Sequence, residues 1–369
     1  MTRIVTWALG FAYAAAWGIL GWLWRGPPTD LDYFFLPAVR IALRGHPLLV
    51  YTVRFQTVIA NDNGPLGLVP LTAVAAVASW LGWPGDVRLL RALVLAAFSI
   101  STLLMAREAV KAIDRLRGVR LAGRSRVVAY GVFTLSPTLL IGVLGYGHVE
   151  QPMMLWLVLF AVRQLASDRP VAAGITFGLA MLTRSLAALP LIPVGVLLLA
   201  RGRWRVTAWL TGSAAVVGTP YEWVPQHADV LFVFGLALLV SLVVILARRD
   251  IEASSRDIYG LLALTALALP LLAKSVWPYY FLDAYVFGAI WWLGQTGALA
   301  WGRRSIEAVL PLMAIIGTLL TEYEMGASAG RIRLLEGVGM GGILAVLMAA
   351  LAVRLRRRCE NLKLPNLTS

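Results

Sequence analysis

Apolar runs of roughly 15 to 20 residues recur along the whole chain, separated by short polar breaks, and that spacing predicts helices that cross a bilayer. The first run, Ile4 to Trp24, follows a short basic start. It is too long for a signal peptide and too many runs follow it, so it reads as an anchor. Two successive runs, GPLGLVPLTAVAAVASWLGW (64–83) and VRLLRALVLAAFSISTLLMA (87–106), both look able to cross. Only one can: with the N-terminus inside, the loop after the first span is outside, and the strongly basic 107–126 must be reached by a single crossing. Pro65, Pro70 and Pro84, with Gly64, Gly67, Gly82 and Gly85, predict that 64–83 is an interrupted helix lying along the outer surface or dipping into it. Further spans are expected near 127–144, 152–166, 170–184, 186–200, 206–219, 230–247, 257–273, 280–300, 308–321 and 336–353. The pattern predicts an all-α integral membrane protein of about 12 transmembrane helices, both termini cytoplasmic. It forms one polytopic domain over 1–369, with a long first outer loop (25–86) and a basic tail (354–369).

Composition sharpens this picture. The chain is 59% hydrophobic and 14% charged, with a mean hydropathy of +0.77, and no stretch is left for a separate soluble domain. A net charge of +14 would point to nucleic acid in a soluble protein. Here the basic residues cluster at the ends of apolar runs, in REAVKAIDRLRGVRLAGRSR (107–126), RGRWR (201–205), RRD (248–250), GRR (302–304) and RLRRR (354–358), so they are topology signals facing the cytoplasm and no nucleic-acid partner is expected. On this map 23 of the 33 Lys and Arg residues lie inside and 10 outside, as the positive-inside rule requires. The one cysteine, Cys359, lies in the tail and excludes an intramolecular disulfide. The sequon Asn366-Leu367-Thr368 beside it is a chance match on the cytoplasmic side.

The histidines and many of the acids gather on the outer side: His46, His148 and His227, with Asp30, Asp32, Asp62, Glu150, Glu222 and Asp229. In DLDYFFLPAVRIALRG, the residues Leu31, Phe34, Phe35, Ala38, Ile41 and Ala42 follow i, i+3, i+4 spacing and predict an amphipathic helix on the membrane surface. Asp30 and Asp32 stand at its N-terminal end, where the helix dipole favours a carboxylate, so helix capping alone accounts for their presence. ANDNGPLG (60–67) reads first as a turn.

Asp-x-Asp-Tyr at 30–33, followed by a small-residue helix and RGHPLLVY (44–51), resembles the first outer loop of the GT-C superfamily of membrane glycosyltransferases, which use polyprenyl-phosphate sugars. GYGHVEQPMMLWLVLFAV (145–162) resembles their second outer loop and the span after it. AAGITFGLAMLTRSLAALPLIPVGVLLLARGRWR (172–205) is similar to the paired helices of polyprenol-phosphate-mannose-dependent mannosyltransferases, and WPYYFLDAYVF (277–287) to the aromatic outer end of a later span. The resemblance implies juxtamembrane helices in the first outer loop, in agreement with the parity argument. It also implies an inverting transfer of a sugar, mannose in first place, from a polyprenyl-phosphate donor to an extracytoplasmic glycolipid or glycan acceptor at the plasma membrane.

Such a transfer needs a base for the acceptor hydroxyl and cations for the departing phosphate. By the family's acid-x-x-Tyr spacing Asp30 is the preferred base and Asp32 the second choice. Arg184 in MLTRSLAALP and Lys274 in LLAKSVWPYY are isolated cations near outer helix ends and are candidates for the phosphate, against simple snorkelling to the interface. Tyr279 and Tyr280 can hydrogen-bond phosphate or sugar, and an interfacial aromatic belt explains them equally. His148 and Glu150 can orient the acceptor or assist the base; His46 and His227 are weaker substrate-binding candidates that also read as solvated loop residues. Oligosaccharyl relatives hold a divalent ion with two acids in this second loop. The chain has one acid and one histidine there, and a monophosphate donor lacks the pyrophosphate that most often calls for metal, so no cofactor is expected and a divalent ion at His148 and Glu150 is the less favoured alternative. No Walker, Rossmann or zinc pattern is present. The rival reading is a lipid-linked-sugar flippase or secondary transporter of about 12 helices, which predicts repeated interrupted segments and polar residues at the midplane.

Overall fold

A computed structural model describes residues 3–24, 26, 28–46, 49–50, 64–82, 86–218, 228–247, 255, 257–266 and 281–294. Every regular element among them is helical: α1 Arg3–Leu23, α2 Leu36–Leu43, α3 Pro65–Trp80, α4 Val87–Arg117, α5 Gly123–Thr134, α6 Pro137–Leu140, α7 Gln151–Ala166, α8 Pro170–Thr183, α9 Ala188–Ala200, α10 Trp204–Gly218, α11 Ala228–Ala247, α12 Asp257–Ala266 and α13 Phe281–Leu293. The spans expected at 308–321 and 336–353 lie outside the described residues, as do Asp62, His227, Lys274, Tyr279 and Tyr280.

The chain divides into two compact units. The first contains residues 1–111, 126–188 and 208–223; the second contains 112–125, 189–207 and 224–369. At the heart of the first unit α7 packs against α8. Prolines in the first turns of both helices, Pro152 and Pro170, cost no hydrogen bond there. Met154, Leu155, Val158 and Ala161 of α7 are wholly buried, as are Ala173, Phe177 and Ala180 of α8. The sequence Gly174-Ile-Thr-Phe-Gly178 brings α8 close to α10: a Cβ on Gly174 would lie 2.8 Å from Ser213 Cβ, and one on Gly178 would lie 2.6 Å from Val217 Cβ. This small-xxx-small stripe is how helices approach in lipid, where contact and shape replace the hydrophobic effect. In the second unit α12 packs against α13, with Trp291 Nε1 donating to Asp257 Oδ1 at 3.3 Å.

Three elements differ from the sequence reading. The surface helix opens with a π-turn over Leu31–Phe35 before α2 begins, and the extra residue in that turn rotates the face: Leu36 and Val39 are buried in place of Phe34 and Ile41. The interruption expected in 64–83 is absent, because α3 runs unbroken through Pro70. The basic stretch 107–126 is helical as far as Arg117, since α4 continues for 31 residues, or about 46 Å, well past a bilayer core of about 30 Å.

Candidate functional site

Among the described residues the first unit carries two clusters of buried charge. One lies where α4 begins, the other 17 residues further along it, a rise of about 26 Å and close to one bilayer core. In the far cluster Glu108, 6% exposed, accepts from Lys111 Nζ at 2.7 Å and from Arg163 Nε at 2.7 Å. In the near cluster stand most of the sequence candidates that the structure describes.

Asp32 is tied down. Its Oδ2 accepts from the Thr29 backbone N–H at 2.8 Å and from Thr29 Oγ1 at 3.0 Å, the acidic half of a capping box. Arg91 Nη2 lies 2.6 Å from each of its oxygens and fastens the π-turn to α4. Both side chains are largely buried, at 15% and 14% exposure. Asp30 makes no capping hydrogen bond. Its side chain is 36% exposed, and Oδ2 lies 3.1 Å from Nε2 of His148.

The loop that carries His148 is held against the same turn. The Asp30 backbone N–H donates to the Tyr146 carbonyl at 3.0 Å. Gly147, with φ +80°, sits so close that a Cβ would lie 2.6 Å from the Leu31 nitrogen and 2.7 Å from Thr29 Oγ1. Glycine is therefore required there twice over, for its dihedral and for its lack of volume. A second π-turn, Ile141–Gly145, leads into this loop. His148 Nδ1 then meets Glu150 Oε1 at 2.9 Å, and the same oxygen accepts from Arg184 Nη1 at 3.1 Å.

Arg184 stands in an extended residue (φ −156°, ψ 128°) between α8 and the 3-10 turn Ser185–Ala187. The N-terminus of α3 closes over this break. The Gly64 N–H donates to the Thr183 carbonyl at 3.2 Å, and a Cβ on Gly67 would touch Glu150 Cβ at 3.4 Å. The first turn of α3 thus packs against the Glu150 side chain. Asp30, His148, Glu150 and Arg184 form one chain of alternating charge that runs from a half-exposed carboxylate to a wholly buried one.

Its electrostatics are strongly coupled. Burial pushes the His148 imidazole down and Arg184 adds to that. The Glu150 carboxylate and the contacts to Asp30 and Glu150 outweigh both, so His148 is raised above its ordinary 6.5. Burial pushes Glu150 up, but the charge of His148, its hydrogen bond and Arg184 hold it below its ordinary 4.5. The second carboxylate oxygen, Oε2, is buried and receives no hydrogen bond among the described residues, which adds to the demand for cations around it.

Of the sequence candidates, Asp30, His148, Glu150 and Arg184 come together, while Asp32 turns to Arg91. His46 is exposed beyond the end of α2 and makes only backbone hydrogen bonds among the contacts described for it. Arg91 is the residue that sequence reasoning missed. Its signal was an arginine one turn inside an apolar helix, the same signal that singled out Arg184 and Lys274. Among the described residues no three His, Cys, Asp or Glu side chains are placed to share a metal ion.

The described residues form an all-helical fold with two helices long and apolar enough to cross a membrane. A solved structure that shares this fold is the crystal structure of ArnT from Cupriavidus metallidurans in the apo state, similar with a TM-score of 0.53 at 17% identity, over 96% of this chain and 73% of that one. The structure of the same protein bound to undecaprenyl phosphate gives a TM-score of 0.48 at 18% identity, over 96% and 72%. No family model and no curated protein matches the chain.

Proposed function

We propose that the chain is an inverting glycosyltransferase that moves a sugar, mannose in first place, from a polyprenyl-phosphate donor to the hydroxyl of a glycolipid or glycan on the outer side of the membrane. The observation that carries this reading is Asp30, a half-exposed carboxylate at the mouth of a buried His–Glu–Arg chain, on a fold shared with ArnT. Asp30 takes the proton of the acceptor hydroxyl as its oxygen attacks the anomeric carbon. The bond from that carbon to the phosphate oxygen breaks, and polyprenyl phosphate departs. Attack from the face opposite the leaving group inverts the centre, so a β-linked donor gives an α-linked product. Asp32 is assigned to structure through Arg91, and Arg184 to holding Glu150. Lys274, Tyr279 and Tyr280 keep the phosphate and sugar roles on sequence grounds, and no metal enters the step.

The test is incubation of the full chain in detergent with labelled short-chain polyprenyl-phosphate mannose, arabinofuranose and aminoarabinose, each with membrane glycolipid as acceptor. The expected result is consumption of the mannose donor and an α-linked product. Consumption of another donor replaces the sugar and keeps the class. No consumption of any donor, with transbilayer movement of one of them in proteoliposomes, returns the chain to the transporter reading.

A further inference from the structure

One imidazole stands between two carboxylates, with Nε2 3.1 Å from Asp30 Oδ2 and Nδ1 2.9 Å from Glu150 Oε1. The Nδ1 contact is a hydrogen bond and the Nε2 contact an ion-pair distance without hydrogen-bond direction, and an ion pair on each side of the ring takes two protons among the three groups. A neutral histidine supplies one. The second is placed on His148 or on a carboxyl, and the Arg184 guanidinium beside Glu150 favours the ionised acid there. With the proton on the ring, Asp30 and Glu150 carry two negative charges against two positive ones on His148 and Arg184. A neutral sum is the state a buried cluster tolerates best.

We propose that His148 is a positioning residue that works as an imidazolium: its charge, with Nε2 3.1 Å from one oxygen of Asp30, holds that oxygen by ion pairing and leaves the other to the acceptor hydroxyl, while Glu150 and Arg184 keep the ring charged. This deepens the reading of Asp30 as the base and rests on it. The acceptor's proton goes to the second Asp30 oxygen and from there to water; His148 keeps both of its protons throughout. The charged groups around the ring are Asp30 from the turn before α2, Glu150 from its own loop and Arg184 from the break after α8. Asp32, in the same turn as Asp30, is paired with Arg91 of α4, and α3 brings no charged side chain. When rising pH strips one proton from the ring, the remaining one stays with buried Glu150, and a bare Nε2 then faces Asp30. The carboxylate loses its anchor, and kcat falls on an alkaline limb with little change in the donor KM.

Two measurements on the full chain in detergent test this. In a His46→Gln, His227→Gln background, nitrogen-15 NMR reads the His148 ring alone. The expected spectrum shows both ring nitrogens protonated at about pH 7, with a midpoint that Glu150→Gln lowers by about one pH unit or more, the size of shift one close opposite charge produces. The kcat–pH profile of His148→Gln is the second. Its amide can still donate to Asp30, so it should keep on the order of a tenth of the rate and lose the alkaline limb. A ring with one protonated nitrogen at neutral pH, or an alkaline limb that survives in His148→Gln, overturns the proposal. The NMR arm needs no sugar donor. Transfer with a neutral His148 therefore sinks this inference alone, and a charged His148 in a chain that transfers nothing leaves the imidazolium standing and removes the reaction it was assigned to.

Discussion

Asp32 accepts from Thr29 twice and from Arg91 through both oxygens, whereas Asp30, two residues earlier, offers its carboxylate to His148 and to solvent. Replacing Asp32 by Asn removes the counter-charge of a largely buried guanidinium and should cost about 2 kcal/mol of stability. Denaturant titration of the purified variant in detergent reads that loss directly. The His148–Glu150 pair makes stability depend on pH. The raised value of His148 stabilises the fold fully below 6.5, and that contribution is lost as pH rises through the folded value. The lowered value of Glu150 stabilises it above 4.5, and that contribution is lost as pH falls through the folded value. Thermal unfolding should therefore show its plateau between those two values and decline on both sides. Glu150→Gln should flatten both edges; two undiminished edges in that variant would mean that other groups set them.

Gly147 is the hinge on which the second outer loop meets the first. In Gly147→Ala the positive φ costs about 1 to 2 kcal/mol, and the new methyl presses on the Leu31 nitrogen. The loop should retreat, carrying His148 away from Asp30, with a larger fall in kcat than in stability when the two are measured on one preparation. Helix existence was legible in the sequence, because apolar length alone announces a membrane helix, and the α7–α8 pair at Gln151–Ala166 and Pro170–Thr183 falls close to its expected place. The π-turn at Leu31–Phe35 was not, since a 3.6-residue period assigns faces on the assumption that no residue is inserted. The extension of α4 to Arg117 was hidden because basic residues mark the end of the apolar core and not the end of the helix. The acids were visible as acids near a helix start. Their division of labour was not, because it depends on Arg91 and His148, which are distant in sequence and adjacent only in the fold.

Across the whole molecule, the separation of the two charge clusters along α4 by about one bilayer core supports opposite sides of the membrane for the Asp30 and Glu108 ends. On a Cys359→Ser background, His46→Cys should react with an impermeant thiol reagent from outside intact cells. Ser167→Cys in the same background, in the exposed turn between α7 and α8, should react only in inverted vesicles, as should Cys359 of the unsubstituted chain. Labelling of both introduced cysteines from one side would break the proposed topology. Receipt of the acceptor's proton by Asp30 is the step on which the proposed mechanism turns. Its most direct test is sugar transfer from labelled polyprenyl-phosphate mannose by the wild type, Asp30→Asn and Asp32→Asn, each shown to be folded. Loss of a general base predicts a fall in kcat of about 100-fold or more for Asp30→Asn with donor binding retained, and a much smaller fall for Asp32→Asn. Transfer at the wild-type rate by Asp30→Asn would mean that Asp30 is not the base.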